Sequence, residues 1–330
     1  MKAKKQLLEV KGIKKYFPIH AGLLRRTVGQ VKAIDDVSFT LGQGETLGIV
    51  GESGCGKSTL GRMIMRVMDP TEGQIMFENQ DLTAMKGKAL RGNRRNFQMV
   101  FQDPYASLNV KMRIGQIIAE PLMVNGVMTG AQARAEAARL ITRVGLRETD
   151  LTRFPHEFSG GQRQRVGIAR ALALNPKLIV ADEAVSALDV SIQAQILNLM
   201  MDLKKDYNLS YMFISHNLAV VRHISDRVGV MYLGQLVEIG EKESLYRHPL
   251  HPYTQALLSA SPNAKRGARR EKMILQGEVP SPANPPKGCP FHTRCPHVMD
   301  VCRSIRPALV ELQPGHAAAC HLYEQPGGHA

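Results

Sequence analysis

The chain has 330 residues, a formal net charge of +14, 22% charged residues and 44% hydrophobic ones. That length suits one large domain with an appendage, and that composition permits a sizeable core. No run approaches the roughly 18 apolar residues that cross a bilayer, and the lysine-bearing start lacks the apolar stretch of a secretory leader, so a cytoplasmic location is expected.

A basic balance fits a solvated surface, nucleic acid, an anionic membrane face or a polyphosphate ligand. The clusters at 91–95 and 265–270 lie apart and carry no interleaved aromatics, which argues against nucleic acid.

In chain order, residues 7–16 alternate apolar and polar and predict a strand, residues 20–30 a basic loop, and 37–41 and 45–50 two more strands. Helical spacing follows over 57–67, and 98–101 predicts a short strand. Residues 114–144 predict helix, as do 162–174, stopped near Asn175 and Pro176. Strands are expected at 178–181, 210–214 and 227–232, with a helix at 192–205 between the first two. Strands alternating with helices imply a mainly parallel sheet covered on both faces. Composition changes after residue 260, with Pro280, Pro282, Pro285 and Pro286 close together and Pro290 just beyond. The domain boundary is placed near Pro262, with residues 1–262 as the main domain and 263–330 as an extension. No internal repeat is present.

Gly51, Glu52, Ser53, Gly54, Cys55, Gly56, Lys57 and Ser58 fit the G-x-x-x-x-G-K-[ST] pattern between a predicted strand and a predicted helix that continues through Thr59. In such a loop, backbone N–H groups and the helix N-terminus surround phosphate oxygens, the lysine reaches the β- and γ-phosphates, and the serine binds Mg²⁺. Cys55 is read as a loop residue. Residues 178–183 form an apolar strand ending in Asp182 and Glu183. Asp182 suits the metal side of a phosphate site and Glu183 the attacking water. The other reading is a pair of solvated acids at a strand end.

These residues now support a resemblance. Phe158, Ser159, Gly160, Gly161 and Gln162 match the signature loop of the ABC ATPases, with Phe where Leu is commoner. Gln102 matches that family's Q-loop glutamine, the 186–189 segment ending in Asp189 its D-loop, His216 its switch histidine, and Tyr16 the aromatic that stacks on adenine. The resemblance covers about 7–262, in the family's order and spacing. It implies a P-loop ABC ATPase fold: a mixed, mainly parallel sheet, an antiparallel β part and a helical subdomain at about 104–160. It also implies ATP and Mg²⁺ as ligands, with Ser58, Gln102 and Asp182 on the metal and Glu183, His216 and Gln102 as catalytic groups. The signature loop is expected to act on ATP held by a second subunit, and the helical subdomain to dock a membrane subunit. Two departures stand out. Ala184 replaces the usual Pro after Glu183, and Asn217 the usual Asp after His216. Both put the rate in question.

The tail is similar to the C-terminal region of dipeptide and oligopeptide importer ATPases, through residues 248–254, 277–282 and 284–286 and the spacing of Cys289, Cys295, Cys302 and Cys320. The chain as a whole most resembles the F-type ATPase of dipeptide importers. The resemblance implies a heterodimer with a homologous ATPase, two transmembrane permeases, a periplasmic or surface peptide-binding protein acting indirectly, and a place on the cytoplasmic face of the inner membrane. Cysteines crowded in a cytoplasmic protein suggest metal rather than disulfides. Their spacing does not fit a zinc ribbon. A [4Fe–4S] cluster is favoured by the resemblance, with zinc and free thiols as the alternatives. Rival functions are import of nickel or another small cargo, a soluble ABC ATPase acting on nucleic acid or ribosomes, and a sensing module with a vestigial ATP site. One ATPase unit argues against the second, and intact Glu183 and His216 against the third.

Overall fold

The computed structural model describes residues 5–22, 26–103, 105–260, 273 and 275–323. The expected boundary at Pro262, the basic cluster at 265–270 and the expected start of the helical subdomain at Pro104 lie outside these residues.

The chain opens with a long antiparallel pair, β1 (Gln6–Ala21) and β2 (Arg26–Gly42). This corrects the expected loop at 20–30. Pro18 pairs with Gln30, Ile19 with Gly29 and His20 with Thr27. These positions lie mostly toward solvent, so backbone pairing forms the strands without an apolar alternation to announce them. After β3 (Thr46–Val50) and α1 (Lys57–Ile64) come β4 (Glu72–Phe77) and β5 (Gln80–Asp81), which complete a four-stranded sheet in the order β2-β1-β4-β5.

Helix α2 (Gly87–Asn93) then leads to β6 (Phe97–Val100). The single helical stretch expected over 114–144 is two helices, α3 (Ile114–Val124) and α4 (Gly130–Arg143). The break falls at Gly126, whose φ of +63° closes a turn that a side chain would strain. The two helices pack on each other and on α5 (Gly160–Leu172). Ile114, Ile117, Ile118 and Leu122 face Ala133, Ala137, Leu140 and Ile141 in one apolar cluster. Burying each isoleucine or leucine contributes about 1.5–3 kcal/mol, and the same cluster continues into residues of the sheet such as Ile179 and Phe213.

The second sheet carries the site. Its strands include β7 (Leu178–Asp182), β8 (Ser210–Ile214), β9 (Arg227–Tyr232) and β10 (Gln235–Glu241), separated by α6 (Val190–Tyr207) and α7 (Leu218–Ile224). Beyond lie α8 (Lys242–Arg247), α9 (Pro252–Ala260), α10 (Asp300–Ser304), β11 (Val310–Gln313) and β12 (His316–Ala318). The strand order is β11-β12-β10-β9-β3-β8-β7-β6. β6, β7, β8, β3 and β9 run parallel, while β10, β12 and β11 add on antiparallel. Every residue of β3, β7 and β8 is buried, as continuous apolar runs require when helices cover both faces. The extension is therefore joined to the main domain through one sheet.

That join is made over a buried carboxylate. Glu238 of β10 and His316 of β12 are both fully buried, 2.8 Å apart. Glu238 also accepts from the backbone N–H groups of Leu250 and His251 at 2.8 and 2.9 Å, and His316 Nδ1 meets Ser244 Oγ at 2.8 Å. Burial lowers His251 to about 4, so its ring is neutral and its Nδ1 accepts from Tyr253 N at 3.1 Å.

Candidate nucleotide site

The carboxyl ends of the parallel strands meet at one edge of the sheet, where open α/β sheets bind ligands. Residue 51 follows β3, Gln102 follows β6, Glu183 follows β7 and His216 follows β8.

The phosphate loop occupies 51–56 and delivers Lys57 as the first residue of α1. Gly51 and Gly56 have φ of +153° and +102°, and a Cβ on them would lie 2.2 Å from Met231 O and 2.4 Å from Ala33 O. The loop is thus wedged between β9 and β2, and glycine is needed for space as well as for conformation. Ser53 and Gly54 form its exposed crest, and Thr59 lies half-buried on α1. Lys57 is buried, and its Nζ donates to Gly51 O and Glu52 O, each at 2.9 Å, with Cys55 Sγ at 3.7 Å. Its partners are carbonyls and a thiol, so its positive charge is left for an anion. Cys55 faces inward, and burial pushes its thiol up.

Ser58 Oγ donates to Asp182 Oδ1 at 2.8 Å. Burial raises the Asp182 carboxyl, against the pull of that hydrogen bond. A divalent cation beside Ser58 and Asp182 would offset this cost, so the pair fits Mg²⁺. Glu183, at the next position, has φ of +47°, a strained conformation for a residue with a side chain. Three hydrogen bonds hold it: its N–H donates to Ile214 O at 2.9 Å, and its carbonyl accepts from Ser186 N and Oγ at 3.0 and 2.9 Å. Ala184, the next residue, is itself buried. Glu183 Oε2 accepts from Gln102 Nε2 at 3.0 Å and lies 3.5 Å from His216 Nδ1. Asn217 accepts from Ala219 N and Val220 N at 3.0 and 3.3 Å and so caps α7 as an aspartate would.

Tyr16 of β1 pairs with Lys32 of β2. Its hydroxyl donates to Asp35 Oδ1, and Lys32 Nζ stands 5.5 Å from its ring centre. Burial, then Asp35, pushes the phenol up.

The signature residues stand apart. Ser159 caps α5, accepting from Gln162 N at 3.4 Å, while the Gln162 side chain accepts from Ser159 N at 2.9 Å. Gly161 lies against Ile192 of α6, where a Cβ would come within 2.5 Å. Ser159 and Gly160 are exposed, as are Asp189 and Val190 at the start of α6. Ser159 and Gln162 bond within their own turn, and Ser159, Gly160 and Asp189 face outward while Gly161 is buried.

The four tail cysteines converge. Cys289 N donates to Cys302 O at 2.9 Å. Burial is the main cause that raises the thiols of Cys289, Cys295 and Cys320, and neighbouring cysteine sulfurs add to it. Among the described residues, no group of three or more His, Cys, Asp or Glu side chains is set to hold a metal ion.

Sequence reasoning passed over several residues that bear on this site. Tyr253, in the 248–254 stretch, accepts from Glu52 N at 2.9 Å. Arg294 forks onto both Glu52 oxygens at 2.9 and 3.3 Å. Arg306 donates to Asp35 Oδ2 and Asp35 O at 3.1 and 2.8 Å. No local pattern marks these arginines.

The fold and this side-chain set define a phosphate-loop ATPase. Residues 34–186 match the ABC transporter family, and residues 237–302 match the oligopeptide/dipeptide transporter C-terminal region. The chain is 59% identical over 320 residues to the oligopeptide transport ATP-binding protein AppF of Bacillus subtilis, covering 96% of this chain and 97% of that one. It is 52% identical to the putative oligopeptide transport ATP-binding protein YkfD of the same organism, covering 96% and 95%. Among solved structures, the dimeric ATP-binding cassette MJ0796 bound to ADP and Pi superposes with a TM-score of 0.64 at 28% identity, covering 72% of this chain and 99% of that one. This chain belongs to the ABC transporter ATP-binding proteins, in the group that carries the oligopeptide/dipeptide transporter C-terminal region.

Proposed function

We propose that the chain binds and hydrolyses ATP as one of two ATPases of an importer for dipeptides or oligopeptides. The observation that carries the reading is the meeting of Gln102, Glu183 and His216 beside Ser58 and Asp182, while Ser159 and Asp189 face outward. The outward groups have their use on a partner's nucleotide, and the dimeric form of MJ0796 supports that geometry. Relatives named for peptide transport support the cargo.

Lys57 and the loop amides bind the β- and γ-phosphates, and Tyr16 stacks on adenine. Ser58, Asp182 and Gln102 would hold Mg²⁺, which when bound would neutralise charge on the phosphates. Glu183 orients a water and takes its proton as the water oxygen bonds to the γ-phosphorus and the bond to the β-phosphate oxygen breaks, giving ADP and phosphate. Gln102 and His216 aim Glu183.

The partners on this reading are a homologous ATPase, two permeases and, indirectly, a peptide-binding protein, with the chain on the cytoplasmic face of the inner membrane. Among the described residues no helix is long and apolar enough to cross a membrane. A groove of about 690 Å³ runs past Ser58, Gln102 and Phe101 to Pro121 and Arg170, and suits a permease segment. Tagged chain drawn from its native membrane should bring two polytopic proteins and a second ATPase. Reconstituted in vesicles, the assembly should take up labelled dipeptides only with ATP. Nickel uptake without peptide uptake, or activity dependent on nucleic acid, would overturn the reading.

Cys289, Cys295, Cys302 and Cys320 are proposed to hold a [4Fe–4S] cluster of structural role. Their convergence supports this, since four thiolates brought together can hold such a cluster. A cluster would crosslink the tail and add folding free energy to it. Protein purified without oxygen should be brown with about four irons per chain, the content of one such cluster. Cys295→Ser with Cys302→Ser should lose the colour and gain protease sensitivity in the tail. Stoichiometric zinc, or no metal, would replace this assignment.

A further inference from the structure

The extension reaches the nucleotide site at three places. Pro282 O accepts from Lys32 N at 3.0 Å, and Lys32 is the residue whose ammonium stands over the Tyr16 ring. Arg306 grips Asp35, the carboxylate that receives the Tyr16 hydroxyl. Arg294 grips Glu52 inside the phosphate loop.

The last contact addresses an electrostatic problem. Glu52 places a carboxylate in a loop read as receiving the polyanionic end of ATP, and alone it would repel that ligand. Arg294 cancels the charge with a two-pronged hydrogen bond, and its side chain is 8% exposed against 29% for Glu52, so solvent screens the pair only in part. Tyr253 fixes the same residue from below through its backbone N–H. Phe291 packs against Tyr253 and Tyr232, joining the cysteine-bearing segment to this support.

We propose that the cysteine-bearing extension is a positioning element of the nucleotide site: Arg294 neutralises and fixes Glu52 in the phosphate loop, and Arg306 fixes Tyr16 through Asp35. Neither arginine touches the reacting atoms. The inference rests on the ATP reading of the site, and the experiment separates the two.

Affinities for ATP and for inorganic tripolyphosphate are measured on the intact chain by calorimetry. Arg294→Met should weaken both ligands about tenfold, as expected for loss of a charge-assisted pair. Adding Glu52→Gln to that variant should restore both to within about threefold, because the uncompensated charge is then gone. Arg306→Met should weaken ATP several-fold and leave tripolyphosphate unchanged, since its route runs through the ring that meets the base. In the assembled importer Arg294→Met should raise KM for ATP with kcat at saturation unchanged. Parental affinities in both single variants, failure of Glu52→Gln to rescue, or a fall in kcat equal to the loss in affinity would overturn the inference. If Arg294→Met does not fold, the double variant still reads the charge argument against Glu52→Gln alone. If the parent binds no ATP, the reading of the site falls first; a binding parent with indifferent variants overturns this inference only.

Discussion

Lys57→Ala is expected to weaken ATP binding about 100-fold, the loss of several charge-assisted hydrogen bonds to phosphate. The ammonium is buried, its partners are two carbonyls and a thiol, and it lies where the loop closes on itself. On the proposed reading, a nucleotide phosphate entering the loop replaces those carbonyls as the acceptor. Removal also strips Gly51 O and Glu52 O of their donor, so a fall in stability of about 1–3 kcal/mol accompanies the change. Circular dichroism at the titration temperature separates that fall from the binding loss. Near-parental affinity in a folded variant would remove this loop from the nucleotide site.

Glu183→Gln should leave ATP binding near the parental level and lower steady-state hydrolysis by about 10²–10⁴, the range for loss of a general base. The amide keeps the length of the side chain and an acceptor oxygen for Gln102, so the geometry around Ile214 and Ser186 survives. What is lost is the capacity to take a proton. Hydrolysis within a few-fold of the parent would assign the base to another group, with His216 the nearest titratable neighbour.

The parallel strands were legible because both of their faces are buried, which favours apolar runs at 47–50, 178–181 and 211–214. The phosphate loop was legible because glycine is needed at Gly51 and Gly56 for space, and spacing records such needs. β10 follows β9 through Leu233 and Gly234, both at positive φ, a two-residue hairpin whose Leu-Gly pair is a weaker cue than Asn-Gly. β12 is three residues long and is defined by its partner, so no pattern of its own could show it. The outer end of the β1–β2 pair was hidden for the opposite reason: its residues are exposed and need no alternation. In the site, Asp182 and Glu183 were legible as carboxylates ending a strand, whereas Gln102 and His216 were legible only through their match to the family's motifs; the structure brings Gln102 and His216 onto Glu183 and Ser58 onto Asp182. Arg294 and Arg306 were not found. Their partners lie 242 and 271 residues away, and a contact of that range leaves no trace in local sequence.

The buried contact between Glu238 and His316 has a consequence for the order in which the protein assembles. Glu238 can bond Leu250 N and His251 N soon after it is made, but its His316 partner lies 78 residues further along the chain. Until His316 arrives, the carboxylate lacks that hydrogen-bond partner and β10 presents an open edge, the kind of surface that captures stray strands. A growing chain thus completes its phosphate loop early and passes through a stage with that loop in place and the flank of its sheet unsealed. Whatever shields nascent chains in the cell must cover that flank for the time a ribosome takes to add those residues, about 4–16 s at roughly 5–20 residues per second.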